Sequence, residues 1–304
     1  PMSCSPLKVL IYGSTGYLGS HLCELFAAKG HTVVQAKERI ENVEAVRAEL
    51  ASVKPDAVIN CAGLTGRPNV DWCEDHKTDV VRVNVMGTLG LLDACHQAGI
   101  YCCNVATGCI FDFDEEHPVG EFMFSEDTKP NYKGSFYSVT KTIVDQLVHI
   151  YDQTLHLRVR MPITADGNPR CLLSKLRRYP KLIDVPNSVS VLPNLLPAMV
   201  ALVERRITGT FNFTNPGTAS HNEMMALYKE HVDPSHEFTN FTIEEQNKIL
   251  KCGRCNCGLD VSKLVEALPD VRILPVREAL EEALKANADK FKAEVARIKA
   301  EAEH

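Results

Sequence analysis

Short apolar runs rich in β-branched residues, at 7–12, 32–35, 57–61, 101–106 and 157–160, alternate through the first half of the chain with segments of helical period. The runs predict strands, and the segments between them predict helices that begin near Tyr17, Asn42, Asp79 and Tyr137. Strand and helix in alternation build βαβ units, so the expected fold class is α/β, a doubly wound parallel-sheet Rossmann domain. Such a sheet binds ligands beyond the carboxyl ends of its strands, and chemistry is to be sought just after each run.

From about Met161 the rhythm loosens, with more Pro and Asn and short strands such as 210–213. Residues 1–165 are expected to form the cofactor-binding domain, 166–280 mainly a smaller C-terminal substrate lobe with strands returning to the sheet, and 281–304 a helical tail. Between Arg277 and His304 the chain is rich in Ala, Glu and Lys, while Leu280, Leu284, Phe291, Val295 and Ile298 recur at three-to-four spacing. Two expectations follow for that apolar stripe: docking on the body with a frayed end, or the pairing face of a homodimer.

Composition narrows the partners. Of the 304 residues, 45% are hydrophobic and 24% charged, and the net charge is -6, which argues against nucleic acid or a membrane surface as the partner. No apolar stretch approaches a membrane span, and a small molecule is the expected ligand. The twelve cysteines are scattered and no apolar leader precedes the first strand, so reduced thiols and a cytoplasmic address are expected. Pro1 stands ahead of Met2, an order a native start does not give, and is set aside as an added residue.

The first predicted strand runs into Gly13-Ser-Thr15-Gly16-Tyr17-Leu18-Gly19. Glycines where a strand turns into a helix let backbone N–H groups and the helix dipole approach a phosphate, so this loop is the candidate pyrophosphate site. After the second strand an acidic residue would hold a free adenosine ribose, but the chain offers Lys37 and Arg39. Cations suit a 2′-phosphate, so NADPH is expected, with NADH the alternative if both are merely solvated. Cys61-Ala62-Gly63 would run close under the cofactor, and Asn84, a polar amide in an apolar helix, is expected to brace the active-site backbone.

Tyr137 and Lys141 stand four apart and share a helix face, so the ammonium is expected to bring the phenol toward its working range. Tyr137 could then protonate an oxygen that becomes charged as hydride arrives. Thr107, at the carboxyl edge of the sheet, can hold the same oxygen. Cys109, two residues further, should project near that carbonyl, where a tuned thiol is a workable acid or base. Arg67, Asn69 and Trp72 are candidates for lining a sugar site.

The order Gly-x-x-Gly-x-x-Gly, Thr107, Tyr137-x-x-x-Lys141 resembles the extended short-chain dehydrogenase/reductases. Within that family the blocks 63–74, 106–111, 134–137, 157–163 and 212–222 resemble the nucleotide-rhamnose synthases of plants and algae, which are similar in fold to bacterial dTDP-4-dehydrorhamnose reductase. The resemblance implies 3,5-epimerisation of a nucleotide 4-keto-6-deoxy-D-glucose followed by 4-keto reduction, with UDP as carrier. It implies Cys109 as one epimerisation group and Lys175 as the second, with Arg254 and Asn256 on the nucleotide-sugar substrate. An upstream 4,6-dehydratase is expected as a separate enzyme. A reductase without epimerase activity and a non-catalytic cofactor-binding regulatory subunit are the competing readings. Cys252, Cys255 and Cys257 depart from the family; three close thiols hint at zinc, but a tetrahedral site needs a fourth ligand and none lies beside them, so no metal is expected.

Overall fold

The computed structural model describes residues 5–67 and 69–302, apart from the side chains of Asn247 and 298–302; Pro1 and the Ile298 side chain therefore lie outside the described residues. The elements run β1 (Lys8–Tyr12), α1 (Tyr17–Ala28), β2 (Thr32–Gln35), α2 (Val43–Val53), β3 (Ala57–Asn60), α3 (Trp72–Asp75), α4 (Lys77–Val81), a π-helical turn (Arg82–Gly87), α5 (Thr88–Gln97), β4 (Tyr101–Thr107), α6 (Phe136–Leu147) and β5 (Thr154–Val159). After them come α7 (Leu172–Leu176), β6 (Lys181–Leu182), α8 (Leu192–Glu204), β7 (Gly209–Phe213), α9 (His221–His231), β8 (Thr239–Asn240), α10 (Ile243–Ile249), α11 (Ser262–Ala267) and α12 (Val276–Ala302).

Six parallel strands form one sheet in the order β2-β1-β3-β4-β5-β7. Side chains alternate across it because successive strand residues point to opposite faces. Val9 and Ile11 pack with Leu22 and Phe26 of α1 and the apolar α8, while Leu10 and Tyr12 pack with Val46 of α2 and Leu91 of α5. The chain first moves outward to β2 and then back past β1 to β3, so the strand order reverses between β1 and β3. That switch point is where an open α/β sheet holds its ligand.

Two boundaries differ from the sequence reading for physical reasons. The helix expected near Asp79 is broken by the π-helical turn, inside which Asn84 faces the site. The last strand of the first half starts at Thr154 rather than Leu157, because His156 and Arg158 occupy strand positions that the apolar pattern disguises. One face of β5 presents Leu155, Leu157 and Val159 to the α1/α8 layer; the other carries these two polar residues toward α6.

A second core joins Ile163, Leu173, Val191, Met224 and Tyr228 to Leu280, Leu284, Phe291 and Val295 of α12. The described part of the stripe on α12, Leu280 to Val295, thus packs on the body of the same chain. Among the described residues no helix is long and apolar enough to cross a membrane.

Candidate active site

The glycine loop is locked against the end of β3. Gly13 has φ +71°, and a Cβ on it would lie 2.7 Å from the Ala62 nitrogen and the Cys61 carbonyl carbon. Gly16 N donates to Gly13 O over 2.9 Å, and a Cβ on Gly19 would overlap that same oxygen. No side chain caps the N-terminus of α1, which leaves first-turn amides for an anion. This cradle, with backbone where side chains would intrude, fits a pyrophosphate. Thr15 is exposed, whereas Leu18 packs into the first core and Tyr17 gives its hydroxyl to Thr164 Oγ1 at 2.9 Å. Only the backbone of those two residues faces the cradle.

Ala62 N donates to Asn60 Oδ1 over 3.0 Å, and Asn84 clamps Leu64 with two bonds of 2.8 Å, one to its N–H and one to its carbonyl. The bracing expected of Asn84 is therefore present. Cys61 is pushed up to about 12 by burial, a neutral thiol in the floor. At the end of β2, Lys37 and Arg39 are exposed, and Arg39 leans on Glu41 at 3.2 Å.

The helix α6 is started by Ser135, whose Oγ accepts from Ser138 N at 3.2 Å, and by Glu74, whose carboxylate accepts from Phe136 N at 2.7 Å. It carries Tyr137 into a cluster with Cys73, Trp72 and Cys109. Lys141 Nζ stands 6.0 Å from the Tyr137 ring centre and 3.5 Å from where a Gly63 Cβ would be. Burial lowers Lys141 to about 8. The expectation that Lys141 brings the phenol down is corrected here: burial first, and then Cys109, push Tyr137 above its ordinary value. The free site thus keeps the phenol protonated, the form a proton donor needs.

Thr107 is buried at the end of β4, and its Oγ1 accepts from Cys109 N at 3.1 Å. The Cys109 sulfur takes a hydrogen bond from Arg160 Nη1 at 3.3 Å, and the same nitrogen reaches Cys255 Sγ at 3.0 Å. Cys255, together with Arg160 and Thr107 and against the effect of burial, lowers Cys109 to about 5.

Lys175 is half-buried on α7, lowered by burial and felt by Cys171, which is also felt by the Tyr17 phenol. Its helix packs Leu173 and Leu176 into the second core. Arg254 donates to Asp71 Oδ1 at 2.9 Å and to Cys252 O at 2.8 Å. Asn69 Oδ1 accepts from Asp71 N at 2.8 Å, Trp72 stacks on His76 with ring centres 3.7 Å apart, and Arg67 is exposed. Asn256 is turned inward: its Oδ1 accepts from Asn187 at 3.0 Å and its N–H serves Asp112 at 2.7 Å. The three late thiols part company, Cys252 toward Asp71, Cys255 toward Arg160, and Cys257 toward Gly108 O at 3.5 Å.

Other functional-site residues escaped the sequence reading. Asn60, Asn104 and His156 are neighbours in register across β3, β4 and β5, and bonds of 2.9 Å and 3.0 Å join them. His156 Nε2 then meets Asp145 of α6 at 3.2 Å, and Arg158 grips the same carboxylate with two bonds of 2.8 Å. Against its burial, those partners hold Asp145 down to about 2. Arg158 interrupts an apolar strand and Arg160 follows directly on its end, which was the available signal for both.

A glycine cradle at the switch point, with Thr, Tyr and Lys converging beside it, is the arrangement of a Rossmann-type short-chain oxidoreductase. The chain belongs to the NAD dependent epimerase/dehydratase family, whose model matches residues 9–165. It is 45% identical over 280 residues to the bifunctional dTDP-4-dehydrorhamnose 3,5-epimerase/dTDP-4-dehydrorhamnose reductase of Arabidopsis thaliana, covering 91% of this chain and 92% of that protein. It is 47% identical to a trifunctional UDP-glucose 4,6-dehydratase/UDP-4-keto-6-deoxy-D-glucose 3,5-epimerase/UDP-4-keto-L-rhamnose-reductase of the same plant, but spans only 41% of its length while 90% of this chain is covered. The crystal structure of the UDP-rhamnose synthase from Acanthamoeba polyphaga mimivirus superimposes with a TM-score of 0.88 at 36% identity, covering 92% of this chain and 99% of that one.

Proposed function

We propose that the protein inverts C3 and C5 of a nucleotide 4-keto-6-deoxy-D-glucose and reduces its 4-ketone with NADPH, making nucleotide-bound L-rhamnose with UDP as carrier. The observation that carries this reading is the Cys109 sulfur, which packs beside Tyr137 and at the same time takes a hydrogen bond from the Arg160 guanidinium at 3.3 Å. A plain reductase has no use for a tuned thiol at that place.

The dinucleotide, when bound, supplies hydride to the carbonyl carbon. Gly13, Gly16 and Gly19 would hold its pyrophosphate, the 61–63 floor and Lys141 its nicotinamide side, and Lys37 with Arg39 a 2′-phosphate. Tyr137 and Thr107 hold the sugar oxygen, first as enolate and then as alkoxide, and Tyr137 delivers the final proton. Cys109 and Lys175 move the protons at C3 and C5, which are acidic because both flank the ketone. Arg254 meets the diphosphate, with Asn256 behind it and Arg67, Asn69 and Trp72 toward the sugar. The second core serves as the substrate lobe. A separate 4,6-dehydratase supplies the 4-keto sugar, and the free cysteines agree with a cytoplasmic address.

Incubation with the 4-keto-6-deoxy-D-glucose nucleotide and NADPH in deuterium oxide tests the reading. Deuterium is expected at both C3 and C5 of the product. Cofactor oxidation by the already epimerised sugar, with no label entering from the unepimerised one, would reduce the protein to a 4-keto reductase.

A further inference from the structure

We infer that Arg160 and Cys255 are positioning residues that hold the Cys109 sulfur as a thiolate, ready to take a proton from a carbon beside a sugar ketone; the inference rests on the reading of Cys109 as an epimerisation base. Arg160 lies just beyond β5 and is only 2% exposed. Its guanidinium bridges two sulfurs, with Nη1 3.3 Å from Cys109 Sγ and 3.0 Å from Cys255 Sγ. Nη2 donates to Cys255 O at 2.7 Å and to Asn187 Oδ1.

Among the described residues, no carboxylate hydrogen-bonds to this guanidinium. Asp112 is near enough to be influenced by it, yet the Asp112 carboxylate is engaged with Asn256 N. A buried cation without a directly bonded anion is costly, and a thiolate at Cys109 is the counter-charge within hydrogen-bond reach of the guanidinium. The two sulfurs share Arg160 Nη1, and the neighbouring Cys109 together with burial pushes Cys255 upward, which disfavours a second anion beside the first. Other groups face the pair from each side: Thr107 at the end of β4, Tyr137 on α6, Cys257 in the same late segment, and His221 at the start of α9, which burial and Arg160 keep neutral.

In the step this arrangement serves, the Cys109 thiolate takes the carbon-bound proton and becomes a thiol. The C–H electron pair becomes the enolate double bond, and the carbonyl π pair moves onto the oxygen held by Thr107 and Tyr137. No oxidant or reductant is consumed.

Alkylation of the free protein by iodoacetamide across a pH series, read at the Cys109 peptide by mass spectrometry, tests the inference without any substrate. The native protein should give a midpoint well below the ordinary thiol value of about 8.5. Cys255→Ala should move the midpoint up by about one unit or more, and Cys255→Ser, which keeps a donor, should restore part of the shift. At about pH 6.5 the ratio of deuterium wash-in to ketone reduction should fall on the order of tenfold in Cys255→Ala and recover near pH 9. Coincident alkylation profiles for native protein and Cys255→Ala, or a native midpoint at the ordinary value, would overturn the inference. Wash-in that survives in Cys109→Ser would instead overturn the base assignment itself, whatever the alkylation profiles show.

Discussion

Tyr137 is the residue whose loss separates binding from chemistry most cleanly. On the proposed roles, Tyr137→Phe takes away the proton donor and leaves the glycine cradle, so single-turnover hydride transfer should fall at least about 100-fold while cofactor titration by fluorescence changes little. Cys109→Ser should spare reduction of an already epimerised 4-keto-L-rhamnose nucleotide and abolish flux from the unepimerised sugar. The pH profiles should divide the same way. Cys109 is depressed to about 5, so its thiolate is present above that value and is lost as pH falls through it. Lys141 is depressed to about 8, so its ammonium is present below that value and is lost as pH rises. Epimerisation should therefore carry an acid limb near 5 that reduction lacks, and both should decline above about 8. At this scale the sequence disclosed the residues with a local signature: glycines at a strand end, a Tyr and Lys four apart, a Thr after an apolar run. It did not disclose how burial acts on them, which is why the direction of the Tyr137 shift was misjudged.

The segments around the site are tied to each other more than to any one strand. Asp71, in the loop between β3 and α3, pairs with Arg254 from a segment more than a hundred positions later in the chain. If Arg254 meets the diphosphate, an arriving substrate must compete with that carboxylate. Asp71→Asn should lower KM for the nucleotide sugar by about three- to tenfold, on the order of 1 kcal/mol for a half-buried pair; a rise would mean that Asp71 serves mainly to shape its loop. The ion pair between α6 and β5 is a different case. With Asp145 and Arg158 both buried, Asp145→Asn leaves a lone guanidinium and should cost about 3–5 kcal/mol in urea unfolding near neutral pH. Because the Asp145 carboxyl is depressed to about 2, its stabilisation is complete above the ordinary carboxylate value and fades as pH falls through about 2. The variant should show a flatter acid limb.

Across the whole molecule, what was legible followed from periodicity. Apolar runs alternating with helical segments were enough for a parallel sheet, and the rule that ligands gather at strand ends pointed to the end of β1, where the glycine loop lies. What stayed hidden was everything assembled at long range: Asn187, His221, Arg160 and Cys255 meet only because the second half of the chain folds back onto the sheet. The polar residues inside β3, β4 and β5 were hidden for another reason, since each sits singly in an apolar run and finds its partner one strand away. That row of amides and imidazole begins under the cofactor floor at Ala62 and ends on the helix that carries Tyr137. It works as a ruler laid across the sheet. Buried hydrogen-bond lengths fix how far the 61–63 segment stands from the helix that carries Tyr137, a separation that no rim loop helps to set.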